Sequence, residues 1–160
     1  MRSDFIEAGG LRFHCLIGGD ASKPLLLMLH GFPEYSGGYE ELIERLSADY
    51  YCVAPDQRGY NTSDKPEGVG EYVAGKLAED AAAILQHFAP KARAVIGHDW
   101  GASVAYALVF KRPDLMKKFV ILNGAHPVPF QRAQLSNPDQ AAASAYIHYL
   151  RSEKAEARLS

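Results

Sequence analysis

Residues 94–110 constrain this chain more than any other stretch. Ala94-Val95-Ile96 is a short apolar run, and Ser103-Val104-Ala105-Tyr106-Ala107-Leu108-Val109-Phe110 is a row of helix formers. Between them lies Gly97-His98-Asp99-Trp100-Gly101-Ala102, an acid flanked two residues away on each side by glycine. Strand, then small-x-nucleophile-x-small, then helix is the layout of a nucleophile elbow. The turn is so sharp that its central residue is held in a strained conformation, and only small residues let strand and helix converge beside it. A serine at such an apex needs a base before it can attack, and it suits acyl transfer. A carboxylate is already anionic at neutral pH and can displace a leaving group at an sp3 carbon. The product is an ester of the Asp99 side chain that water must then hydrolyse. Alkyl transfer to Asp99 is the expected chemistry.

The elements around the elbow indicate the fold that carries it. Phe5-Ile6-Glu7 and Leu11 to Leu16 read as a hairpin about Gly9-Gly10. Pro24 to Leu29 is continuously apolar, as in a strand buried on both faces. Tyr39 to Leu46 has helical spacing, and Tyr50 to Ala54 is a further strand closed by Pro55-Asp56. Leu77, Ala81, Ile84, Leu85 and Phe88 mark an amphipathic helix that ends before Pro90. The elbow strand and a helix stopped by Pro113 follow, then a strand at Phe119 to Leu122. Alternating strands and helices after the first hairpin predict an α/β fold, a mostly parallel sheet with helices on both faces.

From Pro127 the alternation stops. Pro127, Pro129 and Pro138 punctuate a segment followed by helical Gln140 to Leu150, which reads as the beginning of a helical lid. The chain closes at Arg158-Leu159-Ser160 without another strand. Residues 1–125 are therefore expected to form core and 126–160 the start of the lid.

Composition excludes several classes. With 17 basic and 19 acidic side chains the net charge is -2, so neither a nucleic-acid surface nor a polybasic membrane anchor is implied. Met1-Arg2-Ser3-Asp4 has no signal-peptide character, and Leu25 to Leu29 is too short to span a bilayer. Cys15 and Cys52 read as two buried reduced thiols of a cytoplasmic protein, a disulfide being the alternative. No His/Cys cluster has metal-ligand spacing, so neither metal nor cofactor is expected.

In a parallel α/β sheet the loops at the carboxyl ends of the strands gather on one edge and form the site. Three such loops stand out: His30-Gly31-Phe32-Pro33-Glu34, Asp56-Gln57-Arg58-Gly59-Tyr60 and the elbow itself. Together with Ser63-Asp64-Lys65-Pro66, these motifs resemble the α/β-hydrolase superfamily, in particular its epoxide hydrolase and haloalkane dehalogenase branch. The resemblance covers nearly all 160 residues but only the first half or so of such an enzyme.

The resemblance implies an oxyanion hole from the backbone N–H groups of Trp100 and Phe32. Trp100 also opens a helix, whose free N–H groups and dipole favour negative charge. His30, Pro33 and Tyr149 are expected to border a substrate pocket. Dehalogenases of this branch commonly carry Asn where Phe32 stands, and some place their triad acid where Asn123 stands. The epoxide hydrolase reading is therefore preferred, with a small hydrophobic epoxide as substrate. A haloalkane dehalogenase-like hydrolase is the alternative. A non-catalytic hydrolase-fold protein that binds a small molecule is another. Tyr146-Ile147-His148-Tyr149-Leu150 resembles the lid stretch whose tyrosine protonates the opening epoxide oxygen. Tyr146 is the first candidate and Tyr149 the second, against a reading of both as lid-core aromatics.

Among the histidines, His98 reads as an elbow packing residue, His30 as a brace of its loop, and His126 as a hinge contact into the lid. His14 and His87 read as surface or strand residues, and Arg58 as a loop brace acting through an ion pair. The base that would activate water for ester hydrolysis lies, by resemblance, beyond position 160, as does the triad acid. An uncovered apolar face and an open sheet edge then predict self-association or a complementing chain.

Overall fold

A computed structural model describes residues 1–152 and 155. The chain divides into two compact units, Met1–Gly124 and Ala125–Ser160.

The first unit is built on a six-stranded sheet of order β1-β2-β4-β3-β5-β6. Strands β1 (Arg2–Ala8) and β2 (Leu11–Gly18) form the expected hairpin, with Gly9 and Gly10 at φ 59° and 82°. Two consecutive residues of positive φ match the turn to the twist of the strands, and glycine takes that conformation without a Cβ clash. Strand β2 pairs antiparallel with β4 (Tyr51–Pro55). From there the sheet is parallel: β3 (Leu25–Leu29) lies between β4 and β5 (Ala94–His98), and β6 (Phe119–Leu122) lies outside β5. Strand β4 extends through Pro55 rather than stopping before it, since the next cross-strand donor is the Asp56 N–H, 2.8 Å from the His14 carbonyl.

All five residues of β3 are buried, and their alternation divides the core in two. Leu25, Leu27 and Leu29 face one cluster with Val53, Val95 and the apolar sides of α2 (Ala74–Phe88) and α3 (Trp100–Lys111). Leu26 and Met28 face the other, with Cys52, Ile96, Tyr39 and Ile43 of α1 (Glu40–Leu46). Helices therefore cover both faces of a mostly parallel sheet, as the alternation of elements predicts. Cys15 and Cys52 are buried free thiols. Burial pushes the Cys52 thiol up to about 11 and the Cys15 thiol to about 12.

The second unit differs from its expected form. Pro127 and Pro129 do not interrupt it; they sit in the first turn of α4 (Pro127–Ser136), where the missing proline N–H groups would have had no intrahelical partner. The side chain of His126 caps that helix by accepting from the Val128 N–H. Gln140 to Leu150 is not one helix but parts of two, α5 (Pro138–Ala143) and α6 (Ala145–Leu150), divided at Ser144. Asn137 caps α5 through the N–H groups of Asp139 and Gln140. Ser144 is buried and accepts from Gln140 Nε2 at 2.9 Å. The expected absence of a strand at Arg158-Leu159-Ser160 lies outside the described residues. Among the described residues no helix is long and apolar enough to cross a membrane.

Candidate active site

Strand β5 is paired on both sides, by β3 and β6, and nearly all buried, so the residue after it leaves the sheet from a fixed point. That residue is Asp99, with φ 50° and ψ -114°, a conformation that costs a non-glycine residue on the order of 1–3 kcal/mol. Its backbone is tied on both sides: Asp99 N–H donates to the Leu122 carbonyl at 3.1 Å, and the Ala102 N–H donates to the Asp99 carbonyl at 3.0 Å. The flanking glycines are obligatory on steric grounds. A Cβ on Gly97 would lie 2.5 Å from the Gly101 carbonyl oxygen, and one on Gly101 would overlap the carbonyl of Leu29. The strained apex expected from the sequence is present, and Asp99 is exposed at it.

The loop after β3 comes to the same place. The Phe32 N–H donates to Asp99 Oδ1 at 3.0 Å, across 67 positions of sequence. Gly31 beside it has no room for a side chain, because its Cβ would stand 2.5 Å from the Asp99 Cβ and 2.8 Å from Oδ1. The Phe32–Pro33 peptide is cis, and Glu34 N–H returns to the Gly31 carbonyl at 3.1 Å. Trp100 is the first residue of α3, so its N–H belongs to the helix turn that has no intrahelical acceptors. Phe32 is 45% exposed and Trp100 42%, and Pro33 and Tyr35 are exposed on the same loop as Phe32. An open carboxylate with apolar side chains beside it can meet an apolar electrophile.

His30, expected both to brace this loop and to border a pocket, is fully buried. Its Nε2 accepts from the Gln57 N–H at 3.0 Å, which leaves the proton on Nδ1, 2.9 Å from the Gly31 carbonyl. Gln57 Nε2 donates back to the His30 carbonyl at 2.6 Å, and the Tyr60 ring meets the imidazole edge-on at 4.7 Å. Burial lowers the His30 pKa and so keeps the ring neutral. With no open surface and both nitrogens committed, His30 joins two loops from below the site and does not border it.

The loop after β4 is anchored by Arg58, which donates to both oxygens of Asp80 at 2.7 Å and to Glu71 at 3.0 Å. His98 is not only an elbow packing residue. Its Nδ1 lies 3.0 Å from Glu34 Oε2, which links the elbow to the loop of Phe32. No sequence spacing announces a pair 64 residues apart. His14 is a strand residue of β2 as expected, and its Nδ1 also lies 2.8 Å from Asp56 Oδ2. Asp56 itself is fully buried and accepts from the Ser36 N–H and from Asn61 Nδ2. Burial works to raise the Asp56 pKa, but these hydrogen bonds and the nearby His14 carry it below the usual carboxylate value. His87 is exposed on α2.

In the second unit, Tyr146 is 60% exposed on α6 and Tyr149 is half-buried on the same helix. Among the described residues no set of three His, Cys, Asp or Glu side chains is placed to hold a metal ion.

A family model described as alpha/beta hydrolase fold matches residues 24–146. The chain is 38% identical over 150 residues to the AB hydrolase superfamily protein YfhM of Bacillus subtilis, covering 93% of this chain and 52% of that protein. It is 34% identical over 144 residues to epoxide hydrolase 4 of Mus musculus, covering 90% of this chain and 40% of that one. Among solved structures, an epoxide hydrolase of Bacillus megaterium in complex with an inhibitor superposes with a TM-score of 0.90 at 31% identity, over 96% of this chain and 53% of the other. The chain thus spans about half the length of the relatives it matches.

Proposed function

This chain belongs to the alpha/beta hydrolase fold family, and from that premise we propose that it carries the nucleophile of an epoxide-opening enzyme, with Asp99 as the attacking group. The observation that carries this reading is the exposed Asp99 carboxylate on a strained apex, with the Phe32 N–H 3.0 Å from its Oδ1. The epoxide hydrolases among its relatives and structural neighbours support the choice of electrophile.

In the first step Asp99 attacks a ring carbon, the carbon–oxygen bond of the epoxide breaks, and an ester of Asp99 forms. The oxygen leaves as an alkoxide and takes a proton, for which Tyr146 is the proposed donor and Tyr149 the substitute. The strained ring makes this displacement possible for a carboxylate without a base. In the second step water attacks the ester carbonyl, and negative charge gathers on an oxygen of Asp99 itself. The Phe32 N–H, already directed at that carboxyl, and the Trp100 N–H at the head of α3 are the proposed oxyanion donors. Water needs a general base for this step. His14, His30 and His98 are each engaged with other partners, namely Asp56, Gln57 with Gly31, and Glu34. The second unit, which carries both tyrosines, is proposed to be the start of a lid.

A general base contributes about 10²–10⁴-fold, which is roughly 3–5 kcal/mol of barrier at about 1.36 kcal/mol per tenfold. The 160-residue chain is therefore expected to alkylate once and to accumulate the ester. Incubation with styrene oxide followed by peptide mass spectrometry should place one adduct on the peptide holding Asp99, and none in Asp99→Asn. An adduct retained in that variant, or steady multiple turnover by the pure chain, would count against the reading.

A further inference from the structure

A hydroxyl, an imidazole and a carboxylate, those of Ser3, His14 and Asp56, stand together outside the Asp99 contacts. In the β1–β2 hairpin Phe5 is directly opposite His14, and Ser3 is opposite Leu16. Side chains two apart on a strand share a face, so Ser3 is the diagonal neighbour of His14 on that face. Ser3 Oγ lies 2.6 Å from His14 Nε2, and the other ring nitrogen, Nδ1, lies 2.8 Å from Asp56 Oδ2.

The chemistry of the three groups fixes the protons. Asp56 is fully buried, with the Ser36 N–H on Oδ1 at 2.9 Å and Asn61 Nδ2 on Oδ2 at 2.8 Å, and it is held ionised by those donors. An ionised carboxylate only accepts, so the hydrogen belongs to His14 Nδ1 and the lone pair to Nε2, which faces the Ser3 hydroxyl. The Phe5 ring meets the imidazole edge-on at 5.3 Å and fixes its plane from the side. The His14 side chain is 12% exposed, the Asp56 side chain is closed off, and Ser3 is open to solvent. Nucleophile, base and orienting acid are within hydrogen-bond reach in the order that activates a serine.

We propose that Ser3 is an acyl-acceptor site, activated by His14 and Asp56, for activated esters and thioesters. Ser3 Oγ attacks the carbonyl carbon while its proton passes to His14 Nε2. The Oγ–C bond forms as the bond from carbon to the leaving oxygen or sulfur breaks, and the proton moves from Nε2 to that leaving group. Asp56 stabilises the imidazolium between the two transfers. This arrangement supplies base catalysis, about 10²–10⁴-fold, so the reaction to look for is stoichiometric acylation rather than fast turnover.

The probe is p-nitrophenyl acetate with the intact 160-residue chain, read by release of p-nitrophenolate and by peptide mass spectrometry. One acetyl group is expected on the peptide carrying Ser3. It should form unchanged in Asp99→Asn, which separates this site from the epoxide reading. Ser3→Ala should remove it, and His14→Gln should slow it by about 10²-fold or more with the circular dichroism spectrum preserved. Should His14→Gln fail to fold, Ser3→Ala still decides, because Ser3 is exposed on an edge strand. Acetylation undiminished in Ser3→Ala, acetylation confined to other residues, or an equal rate in a folded His14→Gln would overturn the proposal.

Discussion

At Gly31 a single added methyl group would displace the Asp99 carboxylate, the proposed nucleophile. Its backbone takes an ordinary φ, so alanine there meets no conformational penalty; the conflict is with Asp99, whose Cβ and Oδ1 would lie 2.5 Å and 2.8 Å from the new Cβ. Something must move, and the freer partner is the Asp99 side chain, because strand β5 holds its backbone. Gly31→Ala should then destabilise the fold by about 1–3 kcal/mol, as overpacking usually does. It should slow adduct formation with styrene oxide by about 10²-fold, since an ångström of misplacement costs that much. A thermal melt and a time course of adduct mass test the two parts separately; a normal adduct rate would mean that the loop yields instead. The sequence makes Gly31 legible only as half of a His-Gly pair. Asp99 was legible because strand, small residues and helix lie within 17 consecutive positions, whereas Glu34 with His98 and His14 with Asp56 are partnerships that only the folded sheet creates.

At the scale of elements, α2 is fastened to the loop after β4 by one buried ion pair. Arg58 and Asp80 are each 8% exposed at the side chain and share two hydrogen bonds of 2.7 Å. Burial pushes the Asp80 carboxyl up even as Arg58 opposes it, so Asp80 depends on the guanidinium to stay ionised inside. Breaking a buried pair typically costs about 3–5 kcal/mol, and without Asp80 the Arg58 guanidinium keeps Glu71, 3.0 Å away, as a more exposed partner. Asp80→Asn is expected to lose about that much in urea unfolding, while Arg58→Met combined with Asp80→Leu should lose clearly less. A double variant that loses as much as Asp80→Asn would mean that removing Arg58 relieves no stranded charge. The elements themselves were readable wherever hydrophobic period and boundary residues agreed, as in α2 and β3. They were misread where proline carried two meanings: Pro127, Pro129 and Pro138 look like interruptions but begin α4 and α5, because a first helical turn asks for no N–H from them.

For the whole molecule the decisive feature is the far side of the sheet. Strand β6 is last in the sheet order, and Phe119, Val120 and Leu122 on it remain 41%, 41% and 39% exposed. Phe110 at the end of α3 is 65% exposed, and Tyr106 joins it to Phe119 through ring contacts at 6.4 Å and 5.7 Å. Strands β3 and β4 are buried on both faces, whereas β6 leaves apolar side chains open on this margin. A strand edge whose four residues are all apolar, with lysines only ahead of it at Lys117 and Lys118, is a template for another chain. The 160-residue chain should therefore self-associate as its concentration rises. A charge placed on the edge should oppose this: Val120→Lys inserts one where wild type exposes a valine, at small cost to a position already open. Sedimentation velocity across a concentration series should show larger species in wild type and a shift toward monomer in Val120→Lys. Adduct formation at Asp99 should be the same in both proteins, since Asp99 meets this strand through its backbone N–H at the Leu122 carbonyl, two residues from Val120. A wild-type chain that stays monomeric throughout would overturn this expectation.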